Sequence, residues 1–135
     1  MSVLLVLVLG FVLAFVAVVV VVSVGVAGGG AGTSGDPYTM AEATANVTNA
    51  DKVYVKAGTY TADDSVSSSV MDIDVAGLNT APLFWEAYTT TIGDFTIGDA
   101  QPVIIDANTN TLTNAMQSTV AYNVFIGFRF TGASS

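Results

Sequence analysis

Short runs of alternating apolar and polar residues, each ended by a turn, recur through this chain and limit what it can fold into. In Lys52-Val-Tyr-Val-Lys56, Val53 and Val55 face one side while the lysines and Tyr54 face the other. That period of two belongs to a half-buried strand. Ala57-Gly58-Thr59-Tyr60 then turns the chain, and Met71, Ile73 and Val75 alternate with Asp72 and Asp74. Leu83 and Trp85 alternate with Phe84 and Glu86, and Val103 and Ile105 lead to Asp106. Near the C-terminus Val124, Ile126, Phe128 and Phe130 are expected on one face, with Asn123, Gly127, Arg129 and Thr131 outward. About 20 residues separate Leu83 from Val103, and Val103 from Val124. A step that regular predicts stacked repeats, each burying its apolar face on the next. A β-sandwich also places short strands between turns and is the competing arrangement.

Charge and composition remove several functions. The net charge is −8, from eleven acids against two lysines and one arginine. A surface this acidic repels phosphate backbones, so nucleic-acid binding is not expected. The absence of histidine removes the commonest general base near neutral pH and the imidazole metal ligands. The absence of cysteine removes disulfides, thiolate zinc sites and thiol nucleophiles. Low charge with abundant Thr, Ser, Asn, Ala and Gly leans toward an extracellular surface.

The N-terminus reads differently. Val3 to Val22 carries no polar side chain. As a helix it would extend roughly 30 Å, the hydrocarbon thickness of a bilayer. Three readings stay open: a membrane anchor through residues 3–22, a signal peptide cleaved after Gly25-Val-Ala27, or a valine-rich first strand within Val18 to Val26. No Lys or Arg precedes the run, contrary to the usual export signal. Gly28-Gly-Gly-Ala-Gly-Thr-Ser-Gly-Asp-Pro37 reads as a linker or entry turn rather than a phosphate loop, since neither phosphate-loop pattern is present. Thr39-Met-Ala-Glu-Ala-Thr-Ala-Asn46 predicts a short helix, with Thr39 as N-cap and Glu42 at capping-box distance. The expected division is 1–27 as hydrophobic segment, 28–38 as linker or entry loop, and 39–135 as the folded body.

Four segments resemble a known family. Asp51-Lys-Val-Tyr-Val-Lys-Ala-Gly-Thr-Tyr60 resembles the opening coil of right-handed parallel β-helix proteins, the pectate-lyase-like superfamily, where a capping helix precedes such a strand. Ala81-Pro-Leu-Phe-Trp-Glu-Ala-Tyr88, Pro102-Val-Ile-Ile-Asp106 and Tyr122-Asn-Val-Phe-Ile-Gly-Phe-Arg-Phe-Thr-Gly132 are similar to strands of its later coils. The resemblance implies an all-β, right-handed parallel β-helix of about three coils with a short capping helix. Because family members usually continue for more coils, it also implies an amino-terminal fragment of a longer solenoid. An open terminal coil would expose apolar faces and unpaired edges, so self-association through that end is expected.

No catalytic constellation is visible. Enzymes of the superfamily carry carboxylates and a basic residue on the outer face of middle coils, often with calcium, and no position here matches such a motif. Asp72 and Asp74, with Asp63-Asp64 before them, are the weak candidates for a Ca²⁺ site; solvated acids on an exposed strand and loop are the more economical reading. Glu86 and Asp106 are expected to point outward on neighbouring coils, a carboxylate pair suited to glycoside hydrolysis. Arg129 would be a base or carboxylate clamp in a lyase. Tyr54, Tyr88 and Trp85 invite sugar stacking, although phase puts Trp85 in the core. Asn46-Val-Thr48 is an N-glycosylation sequon. The expected role is structural or carbohydrate-binding, in an extracellular, cell-surface or virion-associated protein. The rivals are a polysaccharide lyase or hydrolase whose active site lies in further coils, and a pilin-like filament subunit.

Overall fold

Neighbouring strands among the described residues all run parallel, and after its first two strands the chain returns to each sheet only after visiting the others. A computed structural model describes residues 19–26, 28–48, 51–61, 69–107 and 114–132. The strands are β1 (Val19–Val22), β2 (Lys52–Lys56), β3 (Gly58–Tyr60), β4 (Ser69–Ile73), β5 (Leu83–Tyr88), β6 (Val103–Asp106), β7 (Asn114–Ser118), β8 (Asn123–Ile126) and β9 (Phe128–Thr131). One helix, α1 (Met40–Asn46), lies between β1 and β2. The first sheet has the order β1-β2-β5-β8, the second β3-β6-β9 and the third β4-β7, with every strand pair parallel. The chain therefore runs β2, β3, β4 through the three sheets, repeats with β5, β6, β7, and begins again with β8 and β9. Among the described residues the fold is all-β with one short helix.

Parallel pairing puts like on like. Val20, Val53, Trp85 and Phe125 stand in register across the first sheet. Val53 and Trp85 are fully buried, and so are Val55, Leu83, Val103 and Ile105. The core is thus built from the alternate residues that the period-two pattern marks. Burying Trp85 would strand its indole N–H, but that group donates to Asn123 Oδ1 at 3.1 Å. The same amide donates back to the Val75 carbonyl at 3.2 Å.

Three expectations change here. The regular step from Leu83 to Val103 to Val124 is not a step between stacked strands. Leu83 pairs with Asn123, while Val103 stands in the second sheet between Gly58 and Phe128. The recurrence reflects passage from sheet to sheet. The last long run is also not one strand. Gly127, at φ 80°, makes a corner between β8 and β9. A left-handed residue between two strands resets the alternation. Asn123 and Phe125 consequently face the core side in β8, with Val124 and Ile126 outward, whereas Phe128 and Phe130 share the phase of buried Val103 and Ile105. Glu86 and Asp106, lastly, occupy consecutive strands in different sheets rather than neighbouring coils of one face.

The β1 end of the stack is covered. Thr39 and Glu42 form a complete capping box: the Glu42 N–H donates to Thr39 Oγ1 at 3.2 Å, and the Thr39 N–H donates to Glu42 Oε2 at 2.9 Å. Glu42 also accepts from the Gly29 N–H, which ties the glycine-rich segment to the helix. Those donors, Gly29 first and then Thr39, hold the Glu42 carboxyl below its ordinary range. Met40, Ala43 and Thr44 turn inward, and α1 packs on β4 and β1. The glycine-rich segment is tied to β1 by backbone hydrogen bonds. Val21 donates to the Gly32 carbonyl at 2.8 Å, Tyr38 to Val21 at 2.9 Å and Ser23 to Tyr38 at 3.0 Å. Gly32, at φ 71°, leaves room for the Tyr38 ring, which a methyl group would meet at 2.6 Å.

Of the three readings of the N-terminal run, the structure places Val19–Val22 in the first sheet, paired with β2. Residues 3–18, on which the anchor and signal readings mainly rest, lie outside the described residues. No helix among the described residues is long and apolar enough to cross a membrane.

Two substitutions test the register. Asn123→Ala leaves the buried indole N–H without its acceptor and should cost about 1–3 kcal/mol. Gly127→Ala places a methyl 2.6 Å from the Ala87 Cβ at a positive φ, and should cost about 1–3 kcal/mol through backbone strain alone. Urea unfolding followed by far-ultraviolet circular dichroism reads both; an unchanged midpoint in either would refute the corresponding contact.

Candidate functional site

The outer side of the first sheet gathers the side chains best suited to meeting a ligand. In the core phase of β2 and β5 the residues are apolar; in the opposite phase Lys52 lies beside Phe84, Tyr54 beside Glu86 and Lys56 beside Tyr88. Both lysines of the chain therefore project from one strand. The Lys52 ammonium is 2.7 Å from Glu86 Oε2 and 4.9 Å from the centroid of the Tyr54 ring. The hydrogen bond to Glu86, with a smaller contribution from Tyr54, raises the Lys52 pKa above its ordinary value. With the Lys52 side chain 40% exposed, such a pair contributes about 0–1 kcal/mol to stability. Its effect is to fix three side chains in one arrangement, with exposed Lys56 beside them. Val124 and Ile126 extend the same rows across β8.

A long excursion borders this face. The corner between β2 and β3 is Ala57 alone, and that between β8 and β9 is Gly127 alone, but β5 and β6 are joined by Thr89–Pro102. It contains two consecutive Thr-Ile-Gly-Asp turns, Thr91–Asp94 and Thr96–Asp99. In each, the aspartate N–H donates to the threonine carbonyl at 3.0 Å, and the aspartate carboxylate accepts from the threonine N–H. Asp94 accepts in addition from the Thr89 hydroxyl at 2.6 Å and from the Thr89 and Thr90 N–H groups, each at 2.8 Å. These donors, the Thr89 hydroxyl foremost, hold the Asp94 carboxyl far below its ordinary range. Ile92 and Ile97 are left exposed at the tips, Ile97 at 86%. Phe95 folds back over Gly127 and joins the core, anchoring the excursion. Neighbouring Tyr88 is buried, and burial, assisted by the Asp94 charge, pushes its phenol pKa up.

The candidate residues are not brought together. Glu86 is engaged by Lys52 on the first sheet. Asp106 and Arg129 share the outer side of the second sheet, Asp106 paired with Thr131 and Arg129 with Ile104. Asp72 is half-buried in β4 beside Gln117, and Asp74 is exposed past the strand's end. Asp63 and Asp64 lie outside the described residues. No group of three His, Cys, Asp or Glu side chains able to hold a metal ion occurs among the described residues. Trp85, taken to be a core residue, is fully buried. Asn46 is exposed at the end of α1, its amide donating to the Glu42 carbonyl at 2.8 Å.

A separate hollow of about 400 Å³ opens at the covered end, between the turn after β1, the start of α1 and the end of β3. Ser23, Val24, Met40, Thr59 and Tyr60 line it, with no charged side chain among its lining residues. Burial pushes the Tyr60 phenol pKa up, and its hydroxyl donates to the Lys56 carbonyl at 2.8 Å.

Sequence reasoning missed two of these features. Asn123 acts inside the fold, and no pattern in the sequence signals a shift of phase by the following glycine. The tandem Thr-Ile-Gly-Asp quartets, by contrast, were there to be read as an internal repeat. No family model, curated protein or solved structure matches this chain.

The Asp94 arrangement has a definite pH sign. Its folded pKa is depressed, so its contribution is present above the ordinary carboxylate range and is lost as pH falls through the folded value. Hydrogen exchange at Thr89, Thr90 and Thr91 should stay protected from neutral pH down to about pH 4, where an ordinary aspartate half-titrates. Asp94→Ala should remove that protection at every pH. Equal protection in the two proteins would show that the carboxylate does not order the turn.

Proposed function

We propose that this chain is a right-handed parallel β-helix of the pectate-lyase-like kind, exported or tethered at the cell surface, with a structural and carbohydrate-binding role. The cyclic visiting of three parallel sheets beneath a short capping helix supports the fold. The hand follows from the near-universal right-handedness of crossovers between parallel strands of one sheet. The observation that carries the function is the row of Lys52, Tyr54, Phe84 and Glu86 along the outer side of the first sheet. Amphipathic rings stack on the apolar faces of sugars, while fixed ammonium and carboxylate groups hydrogen-bond their hydroxyls. Because Lys52 and Glu86 neutralise each other, the cluster suits an uncharged glycan, and exposed Lys56 adds a contact for a uronate. Regular strand spacing gives the face a periodicity that a polymer can follow.

Binding is favoured over hydrolysis because Glu86 is engaged by Lys52 and stands on a different sheet from Asp106. A carboxylate pair for glycoside hydrolysis must instead flank one bond.

A panel of neutral and uronate polysaccharides, read by calorimetry, tests the proposal. At least one polymer should bind, and Tyr54→Ala should weaken it about tenfold, the equivalent of about 1.4 kcal/mol. Lys56→Ala should lower uronate affinity and its salt dependence while sparing a neutral glycan. No binding by any polymer, or binding indifferent to Tyr54, would refute the site.

A further inference from the structure

The single N-glycosylation sequon of the chain falls where the structure exposes it. Asn46-Val-Thr48 spans the end of α1 and the step out of it. Asn46 and Thr48 are exposed, while Val47 between them is buried in the core. At φ −68° and ψ 149°, Val47 has left the helical conformation, so the chain is extended there. The Asn46 amide and the Thr48 hydroxyl thus stand on the solvent side of a buried anchor, where a bulky hydrophilic substituent belongs.

Both polar side chains also have partners in the folded chain. The Asn46 amide donates to the Glu42 carbonyl at 2.8 Å, one helical turn back. The Thr48 hydroxyl donates to Asp51 Oδ2 at 2.9 Å, and the Thr48 N–H donates to the same oxygen at 2.6 Å. Asp51 is itself buried, which shields this bond from water. The two engagements differ in consequence. A sugar on the Asn46 nitrogen leaves one N–H on the amide, still able to serve the Glu42 carbonyl. The Thr48 hydroxyl, which a transferase must read in the sequon, is instead held by a carboxylate, and bonds to charged groups are the stronger ones.

We propose that Asn46 is the acceptor for an N-linked oligosaccharide, and that folding closes the site, so that the sugar is added while the chain is still unfolded. The proposal rests on the reading of the chain as exported, because the donor is an oligosaccharide carried on a lipid diphosphate in a secretory membrane. In the transfer the Asn46 nitrogen bonds to the anomeric carbon of the first sugar. The bond from that carbon to the diphosphate oxygen breaks, the lipid diphosphate leaves with the electron pair, and the amide proton passes to a base of the transferase.

Cell-free synthesis with secretory microsomes tests both halves, using the full chain behind a grafted cleavable leader. The product should shift on a gel by one glycan, removable by an amidase specific for N-linked sugars, and Asn46→Gln and Thr48→Ala should each abolish the shift. Presented to detergent-solubilised microsomes after folding, the chain should be modified about tenfold less, the cost of opening a hydrogen bond to a carboxylate. Asp51→Ala, with an unchanged circular dichroism spectrum, should restore modification of the folded chain. No shift during synthesis, or one that survives Asn46→Gln, would overturn the acceptor; equal modification before and after folding would overturn the closure. A shift behind the grafted leader but none behind the chain's own N-terminus would count against export alone and leave the acceptor standing.

Discussion

The buried hydrogen bond between Trp85 and Asn123 is the contact on which the arrangement of strands most depends. Trp85 is the largest side chain with no exposure to solvent, and it lies between Val53 on one neighbouring strand and Phe125 on the other. An indole buried there needs an acceptor, and only one register of β8 supplies it. A slip by a single residue would replace Asn123 by Tyr122 or Val124 and turn Phe125 away from the core. One polar pair therefore reinforces the register that burial of Phe125 against Trp85 already favours. The same amide reaches the Val75 carbonyl, so it also fixes the chain entering β5 from the third sheet.

Much of this was legible in the sequence, and the limits are instructive. The alternation in Lys52-Val-Tyr-Val-Lys56 and in Leu83-Phe-Trp-Glu86 gave the correct buried residues, since period two is enforced by the pleat itself. The capping box at Thr39 and Glu42 was equally plain, being a local matter of side chains three residues apart. What failed was long-range. Spacing between strands cannot reveal which sheet a strand joins, and the step between Leu83, Val103 and Val124 marks passage between sheets rather than stacking. The phase of β8 failed because Gly127 looks like any outward strand glycine until its φ is known. Nor does spacing show that Glu86 and Asp106 belong to different sheets, since that depends on the path of the chain between them.

The surface divides by chemistry as clearly as the interior does by size. The outer side of the first sheet carries both lysines and a Lys52–Glu86–Tyr54 cluster, the Thr89–Pro102 excursion carries exposed isoleucines on hydrogen-bonded aspartate turns, and the last layer is aromatic and almost without charge.

The corner at which Thr89–Pro102 leaves and rejoins the sheets is itself held. Ala57 donates to the Tyr88 carbonyl at 2.7 Å, Gly58 to Pro102 at 3.0 Å and Val103 to Gly127 at 3.3 Å. The excursion therefore departs and returns at the corner that Ala57 and Gly127 each turn with a single residue. A scaffold with such pinned corners can lengthen, shorten or exchange its loops while the strands keep their partners. For evolution, and for anyone grafting a new recognition loop, the cost of novelty is confined to the loop.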